Sequence, residues 1–447
     1  MKKIITKIIY KGHKSDRYLS VLKKHEFKSI SYNKEVQKKK LFDILDYAVK
    51  NVPYYKNIAL KNNICLKKEN SFRDIRNFPI LTKDILLKEF KNLKAANFNG
   101  KYHKNTSGGS TGEPAIFLQD EKYLNFGIAS KTLFMEWTGW KPGDTLINLW
   151  GSERDILEGK KGLKSIVKEN LMNTYLLNSF NMSEDNMRKY VKFINKKKPK
   201  VINTYVQSIY EFARFIKNNN LKVFSPKGII TSAGTLYPKM KELIESVFKT
   251  KVYNRYGSRE SNAIACSCEK DEGLHLNVLH NYIEILNNKF EPCKAGEVGN
   301  VYVTTLSNYV MPLIRYNIGD LAVPAENEQC SCGRGLPLIK KVEGREMSVF
   351  KTKEGKIIPA EFFIHFIGVV YNKGFISKFQ VIQKDYNLIV IKVILKDKKE
   401  FEKNRQKIQD SIKDVMGKDC KIKWDFVKEI KTTKSGKYLY TISEVKE

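Results

Sequence analysis

A chain of 447 residues is longer than one compact core needs, so two or three domains are expected. At 42% hydrophobic residues it can fold unaided, and no apolar run is long enough to cross a bilayer. The formal charge of +33 suggests a nucleic-acid partner, but only 12 of the 81 basic residues are arginine, and the lysines are scattered except for short clusters such as "NKKKPK" (Asn195 to Lys200). Readers of bases favour the planar arginine fork, so this balance fits solvated helix faces better than a binding stripe, and no nucleic acid is expected.

The basic start of the chain is apolar only in short, interrupted pieces, unlike a signal peptide. A soluble, cytoplasmic protein without membrane insertion is therefore expected. The first hundred residues read as helical. Leu41, Leu45, Ala48 and Val49 have helical spacing and Pro53 marks a stop, while Thr82 is placed to cap a helix in "LTKDILLKEF". Between about residues 105 and 260, short runs rich in β-formers ("TLINLWG", "KVINTYV", "KGIITSAG", "KVYNRYG") alternate with amphipathic segments such as "SIYEFARFIKNNN" and "PKMKELIESVF". That alternation predicts an α/β domain with a parallel sheet. Hairpin-like strands follow ("NYIEIL", "GNVYVTTL", "DLAVPA"). The last hundred residues read as strand, strand, helix, strand, a small α+β unit. The break falls near "VEGREMSVF", which predicts a large multi-layer N-terminal α/β domain over 1–341 and a small C-terminal α+β domain over 342–447.

"TSGGSTGEP" (Thr106 to Pro114) packs three glycines, two serines and two threonines into nine residues. Such a stretch lets backbone N–H groups close around an anion, and an ordinary turn is the alternative. It is not a Walker A loop, because Glu113 and Pro114 stand where lysine and a hydroxyl residue belong, and the dinucleotide spacing is absent. Four further stretches follow it in the chain: "YGSRE" (Tyr256 to Glu260), "RYNIGD" (Arg315 to Asp320), "VEGRE" (Val342 to Glu346) and "KTTKSGK" (Lys431 to Lys437).

Taken in this order, the five stretches resemble the adenylate-forming superfamily of acyl-CoA synthetases, luciferases and peptide-synthetase adenylation domains. The likeness runs from about Leu41 to the C-terminus. "LFDILDYAVKNVPYY", "YGSRE" and the Cys-x-Cys-Gly-Arg element look like the phenylacetate–CoA ligase group, and within it the CapK-like branch of capsule and exopolysaccharide loci. The resemblance implies the adenylate-forming fold and an ATP-dependent ligase. Such a ligase activates a carboxylic acid as acyl-AMP, releases pyrophosphate, and passes the acyl group to a thiol (CoA or a carrier protein) or to an amine. A non-catalytic or nucleic-acid-binding protein reusing the fold is the alternative.

The resemblance also implies site roles. Ser107, Gly108, Gly109, Ser110, Thr111 and Gly112 would wrap the β and γ phosphates. Ala233, Gly234, Tyr256, Gly257 and Ser258 would line the nucleotide, with Tyr256 against adenine. Asp320 would accept the ribose hydroxyls, Glu260 would hold Mg²⁺, and Arg345 would reach the nucleotide from the hinge. Lys437 would swing in as a mobile cation between substrate carboxylate and phosphate. Two stretches depart from the pattern. Arg259 stands where relatives carry threonine and is placed to contact the α-phosphate; Met347 and Ser348 replace the acidic residues that usually follow Gly-Arg-x, which leaves Glu346 as the hinge acid.

Seven cysteines do not describe a disulfide framework, but four fall in two Cys-x-Cys pairs, Cys266/Cys268 and Cys330/Cys332. One pair follows Glu260 and the other follows Asp320. A structural zinc held by four of Cys266, Cys268, His275, Cys330 and Cys332 would tie the two loops together, the alternative being reduced buried thiols. The related group's pattern favours Cys268, His275, Cys330 and Cys332, with Cys266 as substitute.

Overall fold

A computed structural model describes residues 13–106, 116–151, 169–343, 350–358, 360–371, 375–430 and 439–445. The glycine-rich stretch Ser107 to Gly112, Arg345 (expected at a hinge) and Lys437 lie outside the described residues. The chain opens with the helices Asp16–Glu26, Ile30–Asn51 and Pro53–Lys61. Pro53 acts differently from the expected stop. It occupies the first turn of the third helix, where the missing N–H has no partner to lose, so one helix ends and the next begins across Val52. Thr82 caps as expected, its hydroxyl accepting from the Ile85 N–H at 3.2 Å.

Among the described residues, thirteen strands belong to the first part of the chain. The hairpin β1 (Tyr102–Thr106) and β2 (Ile116–Asp120) stands by itself as a two-stranded antiparallel sheet. Then come β3 (Leu146–Trp150), β4 (Thr174–Asn178), β5 (Val201–Tyr205), β6 (Gly228–Ser232), β7 (Val252–Ser258), β8 (Asn262–Ser267), β9 (Leu274–Leu276), β10 (Asn281–Leu286), β11 (Gly299–Thr305), β12 (Tyr316–Pro324) and β13 (Leu338–Val342). They form one sheet in the order β10-β11-β12-β13-β9-β8-β7-β6-β5-β3-β4. The five strands β4, β3, β5, β6 and β7 run parallel, as the strand–helix alternation predicts, and the rest are antiparallel.

Alternation along the parallel strands sets the two faces. Ile202, Ile229 and Val252 pack under the helices Val206–Asn218 and Pro238–Phe248, while Val201, Ile230 and Tyr253 pack under the helix Glu121–Trp137. Both faces are therefore apolar, as a parallel sheet requires. Strand β7 is the pivot. Val252 to Asn254 pair in parallel with β6, whereas Arg255 to Ser258 pair antiparallel with β8.

The last part of the chain holds the short pair β14 (Phe350–Lys351) and β15 (Ile357–Ile358), then β16 (Ile376–Asp385), β17 (Leu388–Leu395), β18 (Lys421–Phe426) and β19 (Thr441–Ser443). The latter four make a sheet in the order β18-β17-β16-β19, with the helix Lys398–Met416 between β17 and β18. Its core of Phe362, Phe363, Phe366, Phe379, Phe401 and their neighbours extends to Phe180 and Tyr205 at the carboxyl ends of β4 and β5. The Phe180 ring lies edge-on to Phe362 at 5.6 Å. Trp150 and Tyr205, their ring centroids 3.9 Å apart and tilted by 32°, belong to this same cluster and pack the two sheets' cores together.

Candidate active site and metal centre

The turn joining β7 to β8 carries "GSRE", and its shape is dictated locally. A Cβ on Gly257 would sit 2.0 Å from the Asn262 carbonyl oxygen, so only glycine fits that close approach. The Ser258 hydroxyl accepts from the N–H groups of Glu260 (3.2 Å) and Ser261 (3.1 Å). Ser258, expected to touch a nucleotide, thus commits its hydroxyl to building the turn. Arg259 projects from the tip and is exposed, while Glu260 is buried at 8% exposure.

Neighbouring elements hold this turn by its backbone. Gln119, on β2, donates to the Arg259 carbonyl at 2.9 Å, and the Tyr123 hydroxyl donates to the Glu260 carbonyl at 3.0 Å. Asn281 donates to the Ser261 carbonyl at 3.0 Å. Beneath it, His280 lies between the rings of Tyr123 and Phe126. Burial first, then the Lys40 and Lys131 charges, lower its pKa to about 3, so it is a neutral structural residue.

Tyr256 and Asp320 meet directly, the tyrosine hydroxyl donating to the carboxylate at 2.9 Å. The strand carrying Asp320 is shaped by the preceding "NIG": Gly319 has φ +79°, and its N–H donates to the Asn317 side chain at 2.9 Å. At the end of β6, Ala233 also has positive φ, at 59°, an unusual conformation for a residue with a Cβ. The adjoining Thr235 hydroxyl donates to the Glu343 carbonyl (3.1 Å), and the Glu343 N–H donates to the Leu321 carbonyl (2.8 Å). The loop after β6, the Asp320 strand and the end of β13 are therefore laced together. Of the expected nucleotide residues, Ala233 and Gly234 follow β6, Tyr256, Gly257 and Ser258 end β7, Glu260 lies in the turn after it, and Tyr256 reaches Asp320 on β12. Ligands of open parallel sheets lodge at such carboxyl edges.

The cysteine pairs resolve as a set of four. Cys268, His275, Cys330 and Cys332 bring ligand atoms within 4.8 Å of one another. Cys268 Sγ lies 3.6 Å from Cys330 Sγ, and Cys332 Sγ lies 3.4 Å from His275 Nε2. A tetrahedral ion with bonds of about 2.3 Å needs donor separations near ~3.8 Å, so the set fits with small adjustment. His275 Nδ1 faces the Leu336 carbonyl at 2.9 Å, an acceptor that places the proton on Nδ1 and leaves Nε2 for a metal. Cys266 is buried on β8 and stands outside the set. The four donors come from the end of β8, from β9 and from the loop before β13, tying the β7–β8 hairpin to the strands beside Asp320.

Four polar residues unmarked by any sequence motif lie on the opposite face of β7 from Tyr256. Arg255 donates to the Asn203 side-chain oxygen at 3.3 Å, and Asn203 donates to Asn148 at 2.7 Å. Lys131, on the helix Glu121–Trp137, reaches Asn262 at 3.4 Å. Burial, and secondarily the Arg255 charge, push the Lys131 pKa down to about 8. The available signal was a charge inside the strand-like run "KVYNRYG", where solvent-facing residues are not expected on a parallel strand.

Comparison with known proteins extends this picture. Residues 350–444 match the CapK C-terminal domain. The chain is 27% identical over 424 residues to protein CapK of Staphylococcus aureus, covering 92% of this chain and 89% of the relative. It is 24% identical over 336 residues to the phenylacetate-coenzyme A ligase of Thermus thermophilus, covering 73% of each. Its fold is that of 2-hydroxyisobutyryl-CoA ligase. The postadenylation-state structure matches with a TM-score of 0.58 at 16% identity (94% of this chain, 91% of that one), and the thioesterification-state structure with 0.59 at 15% identity (94% and 92%). The chain is thus similar to CapK over most of its length, matches the CapK C-terminal domain over residues 350–444, and shares the mixed α/β fold of 2-hydroxyisobutyryl-CoA ligase.

Proposed function

We propose that the protein is an ATP-dependent adenylate-forming ligase. The observation that carries this reading is the hydrogen bond joining Tyr256 to Asp320, with the turn that bears Glu260 following directly after Tyr256 on β7. The Asp320 carboxylate suits the paired hydroxyls of a ribose, and Tyr256 supplies a ring beside them. Glu260 offers the hard oxygen donor that Mg²⁺ takes together with phosphate oxygens. Ser107 to Gly112 supply backbone donors to the terminal phosphates, Arg259 contacts the α-phosphate, and Arg345 reaches the nucleotide from the hinge.

The acid's carboxylate oxygen forms a bond to the α-phosphorus as pyrophosphate departs with its bond electrons. A thiol of CoA or a carrier protein, or an amine, then displaces AMP from the acyl carbon. Two anions must approach in the first step, so positive charge has to be brought to them; Lys437 is that charge and acts from the smaller domain (342–447). Cys268, His275, Cys330 and Cys332 hold a structural zinc that locks the Glu260 and Asp320 loops in register. The likeness to CapK supports a place in capsule or exopolysaccharide biosynthesis, with the acyl group bound for a precursor in the cytoplasm.

ATP–pyrophosphate exchange over a panel of carboxylic acids tests the reading. Acid-dependent exchange is expected, falling about a hundredfold to a thousandfold in Lys437→Ala. A protein that binds ATP yet exchanges with no acid would instead be a binding module on a ligase fold.

A further inference from the structure

Arg255 and Lys131 are two cations within electrostatic reach of each other, Arg255 half-buried on β7 and Lys131 exposed on the helix above it. Among the described residues neither has a carboxylate partner: Arg255 is met by the neutral Asn203, and Lys131 by the neutral Asn262. Proteins seldom leave a partly buried guanidinium such as Arg255 uncompensated, because the lost hydration is not returned by a neutral partner. The site is not sealed, since Asn148, Asn203 and Arg255 are half-buried and Lys131 is exposed. The Asn148–Asn203–Arg255 chain of hydrogen bonds aims the guanidinium while leaving it with further donors to give.

The register also fixes where this group stands relative to the reaction. Arg255 pairs with Cys266 and packs on the face covered by the helix Glu121–Trp137, whereas Tyr256 pairs with Ala265 and packs on the other face. Arg255 and Tyr256 are consecutive at the carboxyl end of β7, so a group bound at Arg255 lies next to a nucleotide at Tyr256 and Asp320 but on the other face of the strand. Lys131 touches Asn262, two residues beyond Glu260, so the cations adjoin the reaction centre without being part of it.

We propose, resting on the ligase reading, that the acid activated is a dicarboxylate, whose second, unreacted carboxylate is bound by Arg255 and Lys131 with Asn203 and Asn148 as positioning residues. An apolar acid would leave both cations without a carboxylate partner among the described residues, and the second carboxylate of a diacid supplies one.

Exchange assays with chain-matched pairs, pentanoate against glutarate and hexanoate against adipate, test this in wild type, Arg255→Met and Arg255→Lys. The diacids are expected to be preferred by wild type. In Arg255→Met, kcat/KM for the diacid should drop about ten- to a hundredfold with KM for ATP unchanged, and Arg255→Lys should recover part of the loss. Should Arg255→Met fail to fold, Lys131→Met on the exposed helix face carries the same comparison. Preference for the monoacids, or an equal loss toward ATP, would overturn the proposal while leaving the ligase reading intact. If no acid supports exchange, calorimetric titration of glutarate and adipate separates the two ideas. Heat that disappears in Arg255→Met keeps the anion site and removes the ligase reading; no heat in wild type removes the anion site.

Discussion

The Tyr256 hydroxyl and the Asp320 carboxylate are joined at 2.9 Å across 64 residues of sequence. The bond spans β7 and β12, which are separated in the sheet by β8, β9 and β13. It holds the ring and the carboxylate in one relative position before any ligand arrives, which lowers the ordering cost of binding. Tyr256→Phe keeps the ring and removes the bond, so KM for ATP should rise about two- to tenfold while KM for the acid stays put. Asp320→Ala should raise KM for ATP further, because a charged partner is lost. Equal effects on ATP and acid would place Tyr256 elsewhere.

Gly257→Ala tests how strictly the turn is built. Its new Cβ would meet the Asn262 carbonyl oxygen, a backbone atom that cannot rotate away. We expect a stability loss of about 1–3 kcal/mol, read by denaturant titration, together with loss of exchange activity as Glu260 shifts. Wild-type stability in this variant would show that the hairpin opens more easily than its register implies.

Metal content distinguishes the ligand set. Protein purified without chelator should hold about one zinc per chain. Cys330→Ser and His275→Ala should each abolish it, whereas Cys266→Ser should retain it. Loss of zinc in Cys266→Ser alone would reverse the assignment.

Lys131 predicts a pH profile. The groups facing it are the Arg255 cation and the neutral Asn262, and burial followed by Arg255 lowers its pKa to about 8. An anion binds the protonated form, so KM for the acid should be flat below pH 8 and rise above it, by at most about tenfold per pH unit. Lys131→Arg stays charged through that range and should flatten the curve. Stability carries the matching sign. An unfolded lysine keeps its proton to about 10.4, so this group disfavours the fold below pH 8, and the penalty fades as pH climbs through that interval.

Much of the architecture is legible in the residue order. Apolar alternation in "KVINTYV" and "KGIITSAG", against helical spacing in "SIYEFARFIKNNN", specifies a parallel sheet because each local period exposes one kind of face to a core. The C-terminal strands and helix are equally plain. The Pro53 junction is not, since proline ends one helix and suits the start of another for the same reason, its missing N–H.

What the sequence by itself determined is the inventory: a glycine-rich stretch, "YGSRE", "RYNIGD", two cysteine pairs and a final lysine-rich segment, in an order that resembles one superfamily. The tertiary structure alone decided which donors meet. Five candidate ligands became four because strand ends converge on Cys268, His275, Cys330 and Cys332 and leave Cys266 facing the core. It alone brought Arg255 beside Lys131, one on a strand and the other on the helix above it. Local periodicity carries the energetics of single elements, but no term in it says which distant charges will share a space. That is settled only when the sheet is ordered and its two faces are covered.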